Sequence, residues 1–260
     1  MADVTLLIND AAIGYRNGNS VVPVVTAINA TLSVGEVVAL IGMNGAGKST
    51  LLRTLSAFQP PLSGRVEYAM GDVTLLSPGE LARCVSVVLT ENSFATLSVN
   101  ELVSLGRMPY TGFLGRLSAD DKSAVMAAMD RMGVSHLADR GVATLSDGEK
   151  QKCLIAKAIA QQTPLMLLDE PTAFLDFRSK VQLFRTLREL AVADGKAVVV
   201  STHDIEMALR FADKLWLVSD GRLYEGSPSE LAVNGLLQGF IDGEGIVYDK
   251  ENNRIEITQI

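Results

Sequence analysis

The residues best equipped for chemistry lie in one run, Gly42-Met43-Asn44-Gly45-Ala46-Gly47-Lys48-Ser49-Thr50. Its spacing is G-x-x-x-x-G-K-[ST], in which glycines let the backbone wrap closely around phosphate oxygens and turn its N–H groups inward. A helix opening at Lys48 adds the positive end of its dipole, about half an elementary charge. Lys48 can reach the β- and γ-phosphates, and the Ser49 hydroxyl can join the coordination of Mg²⁺. The plainer reading is a glycine turn that only joins strand to helix; Lys-Ser in register argues against it. The run therefore predicts a nucleoside-triphosphate site built from Gly42, Asn44, Gly45, Ala46, Gly47, Lys48, Ser49 and Thr50.

A second stretch, Leu165-Met166-Leu167-Leu168-Asp169-Glu170, is apolar until it ends in two carboxylates. A buried strand ending this way puts both acids at the carboxyl edge of a sheet, where ligands of open α/β folds bind. Asp169 is suited to hold Mg²⁺, directly or through water, and Glu170 to polarise the water that attacks a γ-phosphate. An acidic helix start after a strand is the alternative. Ser201-Thr202-His203-Asp204 ends the next apolar strand. A lone histidine is more often structural, but at this edge a neutral His203 imidazole can contact the γ-phosphate and orient the water.

The elements that must position these groups follow from apolar patterning. Val37 to Ile41 forms the strand before the loop, and Leu51, Leu52 and Leu55 recur at helical spacing after it. Further strands are predicted at Thr5 to Ala12, Arg65 to Tyr68, Val85 to Leu89, Leu165 to Leu168, Ala197 to Ser201 and Leu215 to Ser219. A polar turn is predicted at Arg16 to Ser20. Helices are predicted at Val99 to Gly106, Ala119 to Met132, Ser146 to Gln161, Ser179 to Ala193 and Ile205 to Phe211. Strands alternating with helices, and apolar throughout, imply a mainly parallel sheet covered on both faces. The fold class is α/β, a P-loop NTPase (RecA-like) core with an antiparallel β edge. Residues 97–161 read as an inserted helical subdomain within a single domain of 1–260, and 236–260 as a hairpin-like extension.

The 260 residues are 48% apolar and carry a net charge of −7, which argues against a nucleic-acid partner held by phosphate neutralisation. The two cysteines, Cys84 and Cys153, match no metal spacing and read as buried free thiols of a reducing compartment. No secretory signal is visible, and apolar runs fall short of the ~20 residues a membrane span needs. The expected place is cytoplasmic, with any membrane role exercised through a partner.

Between the loop and the acids comes Leu145-Ser146-Asp147-Gly148-Glu149-Lys150-Gln151. With it the chain resembles the ATP-binding cassette (ABC) ATPases, whose signature reads Leu-Ser-Gly-Gly-Gln or a close variant at this place. The resemblance runs from about Val4 to Leu231, with loop, signature, acids, Ala173-Phe174-Leu175-Asp176 and His203 in family order. It implies ATP and Mg²⁺ as ligands, and two cassettes paired head to tail with two ATPs between them. Tyr15, which by spacing alone is equally a packed tyrosine, then matches the adenine-stacking aromatic. Leu145, Ser146, Asp147, Gly148 and Glu149 match the signature that meets the opposite subunit's ATP, and Asp176 matches the loop facing that subunit.

Two departures stand out. The family's usual glutamine falls at Thr90, followed by Glu91; they offer a hydroxyl and a carboxylate oxygen but no amide, which puts metal coordination and coupling through this loop in question. Asp147 replaces the first signature glycine. A carboxylate ~5 Å from a phosphate charge would cost roughly 3 kcal/mol at an effective dielectric near 20. Its side chain is therefore expected to turn away and cap or flank the helix start, where it is favourable by ~0.3–1 kcal/mol.

Within the family, Ser104 to Tyr110, Phe174-Leu175-Asp176 and Gly226-Ser227-Pro228 resemble ATPases of bacterial importers for iron chelates, haem and cobalamin. That implies integral membrane permease subunits, indirectly a substrate-binding protein, and a peripheral location on the cytoplasmic face of the bacterial inner membrane. The competing classes are a soluble ABC ATPase acting on nucleic acid or ribosomes, and a nucleotide-sensing module with little hydrolysis. One phosphate loop, a helical block of ordinary size and the acidic balance disfavour the first; Glu170 and His203 disfavour the second.

Overall fold

Two long strands, β1 (Val4–Asn17) and β2 (Ser20–Ser33), form an antiparallel hairpin. The computed structural model describes residues 4–18, 20–89, 96–112, 115–243, 245–250, 252 and 254–257. The hairpin continues through most of the segment predicted as a turn: Tyr15 pairs with Val22 and Asn17 with Ser20. Arg16, Asn17 and Ser20 are exposed strand positions, Gly18 is in the turn, and Asn19 lies outside the described residues. β4 (Ser63–Tyr68) and β5 (Gly71–Asp72) complete this sheet in the order β2-β1-β4-β5.

β3 (Val37–Gly42), wholly buried, enters a second sheet and leads through the glycine-rich loop into α1 (Lys48–Leu55). This sheet also takes β6 (Val85–Val88), β7 (Leu165–Leu168), β8 (Ala197–Ser201), β9 (Lys214–Ser219) and β10 (Arg222–Gly226). The order is β10-β9-β3-β8-β7-β6, parallel except for β10. Successive side chains of a strand point to opposite faces. Leu165, Leu167, Ala197 and Val199 accordingly join a core with α1 and the first sheet. Met166, Leu168, Val198 and Val200 join a different core on the opposite face. Burial on both faces is why these strands read as unbroken apolar runs. The expected α/β class with a mostly parallel sheet and an antiparallel one holds.

The opposite-face core is completed by helices. α2 (Pro78–Cys84) precedes β6, while α3 (Val99–Ser104), α4 (Ala119–Arg131) and α5 (Asp147–Ala160) bundle together. α3 stops earlier than its pattern suggested, because Leu105–Tyr110 tightens into a 3₁₀ segment containing Pro109. Arg107 of that segment is buried, paired with Asp121 at 2.8 Å and bonded to Ala160 O and Gln162 Oε1. Its guanidinium lies 4.2 Å from the Tyr110 ring centroid. Together with Ser118, it holds the Asp121 carboxyl down at about 2.

α6 (Phe177–Asp194), α7 (Ile205–Phe211) and α8 (Pro228–Val233) follow their strands. The C-terminal span starts as a helix, α9 (Leu236–Ile241), before β11 (Ile246–Asp249) pairs with β12 (Arg254–Ile257). Buried Tyr248 packs this hairpin into a core with Leu209, Leu237 and Ile241, so it caps the chain's own core. Cys84 and Cys153 are free and buried, as expected. Among the described residues, no helix is long and apolar enough to cross a membrane.

Candidate functional site

The strand order brings three carboxyl ends together. β8 lies between β3 and β7, so the glycine-rich loop, Ser201 with His203, and Asp169 with Glu170 share one sheet edge. The loop itself depends on its glycines. Gly47 has φ 110°, and a Cβ there would stand 2.7 Å from Val24 Cγ1. At Gly42 a Cβ would stand 2.7 Å from the Val218 carbonyl oxygen. Among the described residues no side chain caps α1, which leaves its leading N–H groups to an anion.

Lys48 is buried, and its Nζ donates to the carbonyls of Gly42 (2.8 Å) and Met43 (3.3 Å). Burial pulls its pKa down, against the opposing pull of Glu170 and Asp169. Tyr15 and Thr50 are joined hydroxyl to hydroxyl at 2.8 Å, which fixes the half-exposed Tyr15 ring beside the loop. A cavity of about 270 Å³ is lined by Tyr15, Asn44, Gly45, Gly47, Lys48, Ser49, Thr50, Glu170 and His203, with Val24 beside them. The groups singled out in three separate stretches thus converge. Val24 went unnoticed because nothing marks one valine of an edge strand.

Asp169 is buried, and its Oδ1 accepts from Ser201 Oγ at 2.6 Å. The same Oγ accepts from the Glu170 amide at 2.9 Å. Sequence reading passed over Ser201; its signal was a hydroxyl closing an otherwise apolar strand. Glu170 Oε1 is buried, has no hydrogen-bond partner among the described residues and lies 3.0 Å from Nε2 of half-exposed His203. Desolvation raises the Glu170 pKa, outweighing the pull of His203 and Lys48. A carboxyl so placed is a stronger base than a free one. Glu170 and His203 also border a second cavity, about 460 Å³, with Lys180, Asp204 and Ile255 of β12.

The donor set suits Mg²⁺. Ser49 and Asp169 offer hard oxygens, and among the described residues no cluster of three ligating side chains occurs. Mg²⁺ commonly takes one or two protein ligands together with substrate phosphates.

The signature segment lies elsewhere. Ser146 caps α5 in a reciprocal box: its amide and hydroxyl each bond Glu149 Oε2 at 2.8 Å, and its hydroxyl accepts from the Glu149 amide. Asp147 flanks the helix start, its exposed carboxylate paired with Lys150 at 3.0 Å. The cap itself is Ser146. Asp176 caps α6, accepting from the Ser179 amide at 2.7 Å. Ser146, Asp147, Gly148 and Glu149 line a separate cavity of about 480 Å³ with Phe174 and Asp176. Leu145 beneath them is buried. Among the described residues, none is common to this cavity and the one around the loop. Thr90 and Glu91 lie outside the described residues.

Comparison with known proteins agrees with this geometry. A family model described as ABC transporter matches residues 25–173. The hemin import ATP-binding protein of Streptomyces coelicolor is 41% identical, over 85% of this chain and 78% of that one. The cobalamin import ATP-binding protein of Halobacterium salinarum is 37% identical over 90% of this chain, which spans 59% of that longer relative. A dimeric bacterial ABC transporter cassette superposes with a TM-score of 0.77 at 27% identity, over 85% of this chain and 98% of that one. A metal-chelate type ABC transporter in an inward-facing conformation gives 0.79 at 27% identity, over 98% and 97%.

Proposed function

Because this chain belongs to the ABC transporter family, we propose that two copies of it close head to tail on two ATP molecules and drive import through separate membrane subunits. It is an ABC-type ATPase. The observation that carries the reading is the separation of two half-sites, the loop with Glu170 and His203 in one cavity and Ser146 with Gly148 in another. Pairing the first of one copy with the second of another completes each nucleotide site, and the twofold symmetry closes the assembly at two.

Within a completed site, the loop amides and Lys48 hold the phosphates, and Tyr15 stacks on the base. Ser49 and Asp169 hold Mg²⁺, which when bound neutralises phosphate charge. Glu170 takes the proton of a water whose oxygen bonds to the γ-phosphorus as the bond to the β–γ bridging oxygen breaks. His203 steadies that water and the γ-phosphate, and ADP and phosphate leave. Ser146 and Gly148 of the second copy meet the same γ-phosphate, and Asp176 faces across the dimer. Cleavage thereby loosens the contact between copies, and this opening does the work.

The cargo is an iron complex, siderophore or haem, or cobalamin. The named imports of the two relatives and the metal-chelate type of the structural neighbour support it. The partners are permease subunits and, indirectly, a substrate-binding protein. The place is the cytoplasmic face of the bacterial inner membrane. Uptake of radiolabelled haem, ferric siderophore and cobalamin by cells deleted for this chain tests the proposal. Loss of one uptake, restored by the wild type and not by Glu170→Gln, is expected; unchanged uptake of all three would contradict the cargo.

A further inference from the structure

We propose that Ser201 is a positioning residue for ATP hydrolysis, its hydroxyl joining the metal-side aspartate Asp169 and the backbone of the base Glu170 into one unit. The proposal rests on the hydrolysis reading above and adds to it a residue outside the loop, the two acids and the histidine.

Ser201 is the last residue of β8, fully buried, with four apolar residues before it. In the parallel register Leu168 pairs with Val200, so the serine arrives level with the acids that leave β7. On the other side Leu40 of β3 pairs with Ser201, which ties the same position to the strand carrying the glycine-rich loop. Its Oγ lies 2.6 Å from Asp169 Oδ1 and 2.9 Å from the Glu170 amide nitrogen. The direction of these bonds is fixed by chemistry. An amide N–H can only donate, so Oγ accepts from Glu170 and spends its own proton on Asp169. One buried hydroxyl thus orients a carboxylate and a backbone at once.

That backbone needs holding. Glu170 has φ 47°, a left-handed conformation that side chains other than glycine, asparagine and aspartate seldom adopt. Such conformations persist where surrounding contacts over-determine them. The bond from the Glu170 amide to Ser201 is one such contact. It fixes the turn that brings the Glu170 carboxyl to 3.0 Å from His203 Nε2 and into the nucleotide cavity. Ser201 itself does not line that cavity. It acts through its two neighbours. Alanine at this position would leave a part-buried N–H and a buried carboxylate oxygen without this partner.

The test uses the full chain with Ser201→Ala and Ser201→Thr. Binding of a fluorescent ATP analogue is measured first in EDTA and then as Mg²⁺ is titrated, alongside kcat and KM for ATP and thermal unfolding without nucleotide. In Ser201→Ala, binding in EDTA should match the wild type. The Mg²⁺ concentration for half-maximal enhancement should rise, and kcat fall, by ~10–100-fold, as for other partners that orient a metal ligand. KM for ATP should move less than kcat, and Ser201→Thr should recover both losses. Wild-type Mg²⁺ dependence and kcat in Ser201→Ala would overturn the proposal. So would loss of EDTA binding in step with turnover, which marks a merely structural role. If the wild type shows no hydrolysis, the hydrolysis reading fails, while the split between metal-free and metal-dependent binding still decides Ser201. That split also decides it if threonine's extra methyl does not fit.

Discussion

Glu170 carries a conflict between stability and chemistry. Burial raises its pKa, so the fold favours the neutral carboxyl, while the proposed reaction needs the carboxylate. For a carboxyl raised on folding, the stabilising contribution is present below the unfolded pKa and lost as pH rises through the folded one. Glu170→Gln should therefore raise the melting temperature of the nucleotide-free protein at neutral pH, with the gain shrinking in acid. The same substitution should lower kcat by ~10²–10⁴-fold. In the wild type, the acid limb of the pH–rate profile should lie above the 4.5 of an ordinary glutamate. A melting temperature unchanged at neutral pH, or an acid limb below that value, would contradict this account of the base. Asp147 makes the opposite case. Its carboxylate is exposed and bound to Lys150, so Asp147→Gly should leave ATP-driven association unchanged. Its cost to stability should be about 1 kcal/mol, from the lost helix-start charge and the added glycine. A large gain in ATP affinity would instead show a carboxylate facing the phosphate.

Elements were legible where one physical cause dominated. β7 and β8 were readable because both faces are buried, and α4 and α5 because each has a sustained apolar stripe. The short helices α2 and α8 were missed although their caps, Ser77 with Glu80 and Ser227 with Glu230, carry the S-x-x-E signal. Their few residues make that local signal the main one. The 3₁₀ segment Leu105–Tyr110 has a tertiary cause that no periodicity shows. A Cβ at Gly106 would stand 2.3 Å from the Lys157 carbonyl oxygen of α5, so the two backbones meet with nothing between them. Gly106→Ala should push the segment off α5 and cost ~1–3 kcal/mol, as overpacking does. Urea unfolding reads that loss directly; an unchanged midpoint would mean the contact is slack.

At the scale of the whole molecule, the ordered motifs predicted the loop, acid and histidine cavity, because each ends or follows a strand of one sheet. Ser201 and Val24 were not legible, since their roles depend on which strands lie side by side. The signature was legible as a motif, but its separate cavity with Asp176 is a property of the folded chain. That separation makes the central claim one about two copies. The most direct measurement is the mass of Glu170→Gln in solution by light scattering, with ATP, with ADP, and with ATP after Ser146→Arg is added. The account predicts twice the 27.8 kDa chain mass with ATP alone, and the single-chain mass in the other two conditions. A single-chain mass with ATP, or a dimer indifferent to both nucleotide and Ser146, would contradict it.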